Sequence, residues 1–398
     1  MKLGVIRATS PNISEFPTYI AMKKAGINPR FLAEFGAGQV ESLQQMGADE
    51  VISLKGINHL LRFFPPKMKP FIRFAIEQKL GINSPLFNLE KYFNSDCYNI
   101  SDLICHHALP LVRHINKSPG KKLFVTLWEN IPDRYHRAIS ANHIKSRVTP
   151  LVAHYFPVSN YALAAARLYG IKSDNMTVIA PGVDTEKFRP SLRREKNIFK
   201  RFGCDEKTFI IVCISRIQRS KGIDTLLQAM AYLKTRAIGT DKIKTLIIGC
   251  GRETKLMKKL ATRYGVSEDI CFVGAIPFGK IPEYLSNADL FILPSTIQRY
   301  WQEQLGFSLL EAMSCGLPVI STHSGAIPEV VGDCGILVSP SSFYDLALAI
   351  ERIYMNRKYA EKLGASARDR VLSFYDAQKN GLKMAEIVLR HFQGNRHG

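Results

Sequence analysis

The sequence predicts an α/β protein made of two doubly wound, Rossmann-like domains, and three observations carry that expectation. Short apolar runs alternate with amphipathic segments through most of the chain, the pattern of parallel strands joined by crossover helices. The length, 398 residues, suits two or three domains at ~100–200 residues each. A composition of 46% hydrophobic and 22% charged residues is globular and supplies a core worth burying.

In the first half, strands are expected at 3–7, 31–34, 51–54, 102–105, 123–127, 155–158 and 176–179. The second half is more regular, with strands at 209–215, 244–249, 270–273, 290–294, 318–321 and 335–338. Helices are expected between them, including 223–233, 253–264, 281–287 and 306–314. Residues 185–201, TEKFRPSLRREKNIFKR, are charged and lack an apolar period, the composition of an exposed linker. The expected domains are therefore 1–185 and 186–374, followed by a separate helix at 375–398 that is a candidate to cross back to the first domain.

Composition removes several function classes. With 27 Gly, 20 Pro and 8 Cys, the chain is neither collagenous, low-complexity nor a disulfide-stapled miniprotein. No stretch approaches the ~18 consecutive apolar residues of a membrane span, and the opening MKLGVIRATS lacks the apolar core of a signal peptide. The cysteines form no C-x-x-C pair, so reduced core thiols in a cytoplasmic protein are expected. The net charge of +20 draws the surface toward phosphates or anionic lipid. Much of it is concentrated, because residues 51–150 hold 15 basic and 6 acidic side chains.

Ligands of open α/β sheets lie beyond the carboxyl ends of the strands. After the strand at 209–215 comes Arg216-Ile-Gln-Arg-Ser-Lys221-Gly222, leading into a helix. Arg forks onto phosphate oxygens, Lys adds a point charge and the helix amino end contributes its dipole, so this is a diphosphate site in outline. A solvated basic turn is the alternative. After the strand at 290–294, Glu303 and Glu311 stand seven residues apart around a helix opened by Gly306. Backbone N–H groups of Leu305, Gly306 and Phe307 would face a phosphate, and both carboxylates would accept hydroxyl hydrogen bonds. The alternative is that the two acids only complement the helix dipole.

Taken together, R-x4-K-G, E-x7-E and the following C-G-L-P-V resemble the donor half of a retaining glycosyltransferase of family 4, a family with the GT-B fold of two Rossmann-like domains facing across a cleft. The similarity extends to Ala180-Pro181-Gly182-Val183-Asp184, to Val273-Gly274-Ala275-Ile276-Pro277 and to Ser324-Gly325-Ala326-Ile327-Pro328-Glu329. It is strong over 155–340 and holds only in outline over 1–154. The resemblance implies Glu303, Arg216 and Lys221 as catalytic residues, with the two cations on the donor diphosphate and Glu303 at the donor sugar. It implies Glu311 on the ribose hydroxyls and Val273, Gly274 and Ile276 against the base. Leu305, Gly306, Phe307 and Gly182 would complete the donor site. It implies no cofactor besides the nucleotide diphosphate sugar, and the absence of any Asp-x-Asp agrees with a metal-independent transfer, so no metal site is assigned.

The acceptor side departs from the family pattern. The loop after the first strand, which contains Asn12, lacks paired glycines, and Trp128 stands where many relatives carry a His. Glu129 and Asn130 are acceptor candidates or a satisfied polar turn. His106 and His107 follow the strand expected at 102–105; adjacent side chains on a strand point opposite ways, which disfavours a metal pair. His107 stays as an acceptor candidate.

Residues 60–80, LLRFFPPKMKPFIRFAIEQKL, set Arg62, Lys67, Lys69 and Arg73 among Phe63, Phe64, Phe71 and Phe74. That mixture suits docking on an anionic membrane surface, or two short helices broken at Pro65-Pro66 with cations snorkelling outward. No nucleic-acid motif accompanies it. The leading expectation is a glycosyltransferase of lipid-linked or cell-surface glycan assembly, cytoplasmic and peripheral on the inner membrane face, whose partners are a nucleotide-sugar donor and a glycan or lipid-linked acceptor. The alternatives are a nucleotide-sugar epimerase or phosphorylase on a similar scaffold, and a catalytically inactive membrane- or polyanion-binding module. A dehydrogenase is disfavoured because Gly249-Cys250-Gly251-Arg252-Glu253 lacks the third glycine of a dinucleotide fingerprint.

Overall fold

The computed structural model describes the chain except for Ser10, Ala37, Lys67, Pro70, 73–74, 76–85, Asn88, 104–106, 133–138, Ser173, 192–194, 239–241 and 394–398. It divides into two compact units, one of Met1–Gly182 with the segment that begins at Ala377, the other Val183–Asp376.

The first unit holds a parallel sheet of β1 (Lys2–Thr9), β2 (Asn28–Glu34), β3 (Glu50–Ser53), β4 (Cys97–Ser101), β5 (Lys122–Leu127) and β6 (Val152–Pro157), in the order β3-β2-β1-β4-β5-β6. The second repeats the plan with β7 (Phe209–Ile214), β8 (Ile243–Ile248), β9 (Ile270–Gly274), β10 (Leu290–Leu293), β11 (Val319–Thr322) and β12 (Ile336–Val338), in the order β9-β8-β7-β10-β11-β12. Each order reverses once, between β1 and β4 and between β7 and β10. Those reversals are the topological switch points where doubly wound sheets take ligands.

The central strands of the second sheet are covered on both faces, which is why they read as continuous apolar runs. Phe209, Ile211 and Leu290 pack with Leu226 and Leu227 of helix Ile223–Thr235 and Ile350 of helix Phe343–Met355. The first sheet is built the same way, Ile6, Ile100 and Val125 meeting Leu111 and Val112 of helix Ala108–Asn116. No helix among the described residues is long and apolar enough to cross a membrane.

Four expectations need correction. The fourth strand is Cys97–Ser101, not 102–105, because Tyr98 and Asn99 interrupt the apolar run that would mark it. Asp102 takes φ 54°, in the left-handed region, and ends the strand; residues 104–105 lie outside the described ones. Residues 176–179 form no strand. They run beside β6, with Tyr155 N donating to Asn175 O at 2.9 Å and Thr177 N to Tyr155 O at 3.1 Å. Residues 185–201 are not an exposed linker either: Phe188 and Phe199 are fully buried, and Ser314 Oγ donates to Phe188 O at 2.5 Å. Two isolated aromatic anchors leave no period to read. Lastly, Cys97, Cys204, Cys213 and Cys315 are core thiols, but Cys250 is exposed; Cys105 is outside the described residues.

Candidate active site

The site is assembled where β7 and β10 end. Beyond β7 the chain makes the short 3-10 turn Arg219–Lys221, and Gly222 at φ 64° starts helix Ile223–Thr235. A Cβ on Gly222 would lie 1.9 Å from the carbonyl oxygen of Pro294, so only glycine lets this turn press against the end of β10. Thr296 fastens the same contact from the other side, its N–H donating to Ser220 O at 2.9 Å and its hydroxyl to Arg219 O at 3.3 Å.

That close approach sets Lys221 Nζ 2.6 Å from Glu303 Oε2. Ser295 Oγ, one residue beyond Pro294, donates to the same oxygen at 2.8 Å. Glu303 is 7% exposed and its backbone is held at both ends, N donating to Ser324 Oγ at 3.3 Å and O accepting from Ala326 N at 3.0 Å. The indole of Trp301 covers Lys221 Nζ at 4.7 Å from the ring centroid. A partly buried ammonium thus has a carboxylate and an aromatic face as neighbours, the arrangement that makes such a pair tolerable where water is scarce. Beneath it, burial pushes the Cys213 thiol up to about 12, with Lys221 pulling the other way.

Gly306, at φ 79°, opens helix Phe307–Ser314 and has no side chain to cap it, while its carbonyl accepts from Leu309 N and Leu310 N. The amino end of a helix attracts anions. Leu305 and Phe307 bury their side chains, so their contribution to a ligand is confined to backbone. Glu311 is 4% exposed, in the second turn of this helix. Burial first, and the Glu311 charge second, push the Cys315 thiol up. Arg216 is exposed directly past β7 and makes no ion pair or hydrogen bond among the described residues. At the end of β9, Val273, Gly274 and Ile276 are half-buried, and Gly274 O accepts from Gly249 N at 2.8 Å.

The remaining candidates lie in the first unit. Gly182 N donates to Thr18 Oγ1 at 2.6 Å. Asn12 is exposed and its side chain accepts from Ser14 N at 3.1 Å, capping the turn Ile13–Glu15. Asp102 Oδ1 accepts from Trp128 N at 2.8 Å and Glu129 N at 3.1 Å, and Glu129 Oε1 accepts from Ile131 N at 3.0 Å. Asn130 and His107 are buried. Asp102 and Glu129 thus brace the backbone of the loop 128–131. Arg62 and Phe63 are exposed, while Phe64 and Lys69 are half-buried. Lys67, Arg73, Phe74 and His106 fall outside the described residues.

Sequence reasoning missed Ser295 and Trp301, whose roles depend on how residues 296–302 fold back. It also missed Arg7, which is buried at the carboxyl end of β1 with Glu15, Tyr19, Asn99 and Thr126 around it. An arginine directly after the apolar run VI was the one available signal.

Comparison with known proteins agrees with this layout. The crystal structure of Anabaena Alr3699/HepE in complex with UDP aligns with 98% of the chain and all of its own length, at a TM-score of 0.74 and 18% identity, and shows that the fold is the two-domain, doubly wound GT-B type. Residues 194–370 match the family model described as Glycosyl transferases group 1. A GDP-mannose-dependent alpha-(1-6)-phosphatidylinositol monomannoside mannosyltransferase of Mycobacterium tuberculosis is 30% identical over 218 residues, 54% of this chain and 56% of that protein. A D-inositol 3-phosphate glycosyltransferase of Thermobifida fusca is 27% identical over 65% of this chain and 59% of its own. The chain thus spans little more than half the length of these relatives.

Proposed function

We propose that the protein is a glycosyltransferase that moves a sugar from a nucleotide diphosphate sugar to an acceptor hydroxyl, with retention and without a metal, in lipid-linked or cell-surface glycan assembly. The observation that carries this reading is the Lys221–Glu303 ion pair at the switch point of the second sheet, beside the helix start at Gly306. The group 1 match over the same residues and the names of the mannosyl- and inositol-phosphate-directed relatives support it.

The chemistry asked of the site is charge stabilisation. As the bond between the anomeric carbon and the donor phosphate oxygen breaks, negative charge grows on the departing diphosphate, and Lys221, Arg216 and backbone N–H groups of the helix start stabilise it. The acceptor oxygen bonds to the anomeric carbon on the face the phosphate leaves, and the acceptor proton passes to the departing phosphate oxygen. Glu303 holds donor sugar hydroxyls, Glu311 the ribose, and the chain around Val273, Gly274 and Ile276 the base. On the acceptor side, Glu129, Asn130, His107 and Asn12 are the candidates. The exposed Phe63 and Phe71, beside Arg62, suit a peripheral station on an anionic membrane where lipid-linked acceptors reside.

A thermal-shift panel of GDP, UDP, ADP and their sugars tests the reading, since a selective ligand raises the melting temperature in proportion to the logarithm of its concentration. Glu303→Ala should then lower sugar transfer by about 100-fold or more. Indifference to every nucleotide would overturn the proposal.

A further inference from the structure

We infer that Trp301 is a positioning residue for the donor diphosphate: its indole face holds the Lys221 ammonium in place when Glu303 turns from Lys221 to the donor sugar. The inference rests on the function proposed above and adds to it a residue that no motif singled out.

The geometry is specific. Trp301 ends a tight hairpin in which Gln298 N donates to Trp301 O at 2.8 Å and Trp301 N to Gln298 O at 3.1 Å. The Gln298 side chain donates to Thr296 Oγ1 at 2.8 Å, and Thr296 is bonded to the Arg219–Lys221 turn through Ser220 O and Arg219 O. The loop that bears the indole is thus tied to the turn that bears the ammonium, independently of the ring contact itself. The ring lies 4.7 Å from Lys221 Nζ, and the Glu303 carboxylate lies 2.6 Å from the same nitrogen.

In the proposed reaction Glu303 shares its carboxylate between Lys221 and sugar hydroxyls, so its hold on the ammonium weakens as it turns to the donor. A partly buried ammonium whose carboxylate is drawn away needs another electron-rich neighbour, or its long side chain swings among rotamers and its ordering must be supplied by the ligand. An aromatic face attracts a cation without neutralising it. Lys221 therefore keeps its full charge for the diphosphate and its position as well. A carboxylate in the place of Trp301 would hold Lys221 but cancel the charge the phosphates require.

Trp128 and Trp301 are the only tryptophans in the sequence, so Trp128→Phe leaves a single reporter ring. In that background Lys221→Met should shift the emission maximum, because a cation over the ring perturbs its excited state; unchanged emission overturns the contact. By calorimetry, Trp301→Ala should weaken binding of GDP, UDP or ADP, whichever the unaltered protein binds, by about three- to thirtyfold. Trp301→Phe, which keeps a ring face, should stay within about threefold. With the accepted donor, Trp301→Ala should raise KM more than it lowers kcat. Equal nucleotide affinity in Trp301→Ala and the unaltered protein overturns the role of Trp301 while the proposed function stands. Failure of the unaltered protein to bind GDP, UDP or ADP overturns both.

Discussion

Arg7 Nε donates to Glu15 Oε2 at 2.9 Å, and both side chains are almost wholly buried, at 3% and 6% exposure. The rest of the guanidinium is satisfied as well, Nη1 by Ile6 O and Asn99 O, Nη2 by Tyr19 OH and Asn99 Oδ1. Tyr19 OH also lies 2.9 Å from Thr126 Oγ1. The network ties the turn Ile13–Glu15 and helix Phe16–Ala21 to the ends of β1, β4 and β5, at the switch point of the first sheet. Removing one partner from a buried pair strands the other charge, at a cost of ~3–5 kcal/mol. Arg7→Met should cost that much in urea denaturation, and Arg7→Met with Glu15→Leu should regain at least half. A loss under ~1 kcal/mol for the single variant would mean that the pair does not hold the turn.

Polar networks of this kind also explain which parts of the fold were legible in the sequence. The strands of the second sheet fall within a residue or two of their expected ends because Phe209–Ile214 and Leu290–Leu293 are apolar throughout. In the first sheet, β4 reads Cys-Tyr-Asn-Ile-Ser, since Asn99 faces the buried Arg7, and the apolar signal fails where the interior is hydrogen-bonded. The candidate site divides similarly. Arg216, Lys221, Glu303 and Glu311 stand at spacings a sequence displays. The meeting of Lys221 with Trp301 depends on a hairpin at 298–301, for which no turn residue of the usual kind gives notice.

Gly222 supplies a second prediction. Its backbone is left-handed, and a Cβ added there would stand 1.9 Å from Pro294 O, which leaves no room for a methyl group against rigid backbone. Gly222→Ala should destabilise the protein by at least ~2 kcal/mol. Because the turn must retreat from β10, it should also lengthen the Lys221–Glu303 contact and weaken nucleotide binding. Gly203, also at positive φ but with open space around its Cβ position, serves as the control. Gly203→Ala should cost about 1 kcal/mol and leave nucleotide affinity unchanged. Equal effects of the two substitutions on affinity would show that packing at Gly222 does not position the site.

His154 gives a pH dependence with a definite sign. Its Nε2 lies 2.9 Å from Thr177 Oγ1 and its Nδ1 3.5 Å from His391 Nε2. Burial first, and the nearby His391 second, lower it to about 4, while burial and Lys122 lower His391. Between about 4 and the ordinary value of 6.5 the unfolded chain binds the proton that the folded protein refuses. Stability is therefore full above 6.5 and declines as the pH falls toward 4. His154→Gln keeps a partner for Thr177 and cannot titrate, so the fall in melting temperature from pH 6.5 to 4.5 should be shallower than in the unaltered protein. Parallel curves would assign the acid sensitivity to other groups.

The basic aromatic stretch decides whether the proposed acceptor is met at a membrane. Phe63 is 76% exposed, Met68 49% and Phe71 73%, three large apolar side chains within nine residues of one another in sequence. Arg62 is exposed beside Phe63, and the proposed anionic bilayer would draw the charges from a Debye length away and take the rings into the acyl boundary. Each basic residue near such a surface is worth ~1 kcal/mol, so converting Arg62, Lys67, Lys69 and Arg73 to Gln should weaken sedimentation with phosphatidylserine-containing vesicles by two to three orders of magnitude at low salt, on the order of that per-residue value. Phe63→Ser with Phe71→Ser should weaken it further where salt already screens the charges, because the buried apolar area does not respond to ionic strength. Nucleotide binding should be unaffected by either set, since the residues proposed to hold the diphosphate, Arg216 and Lys221, lie in the second unit. Vesicle association that survives both sets would remove this stretch from the membrane proposal and leave the chemistry at Lys221 and Glu303 untouched.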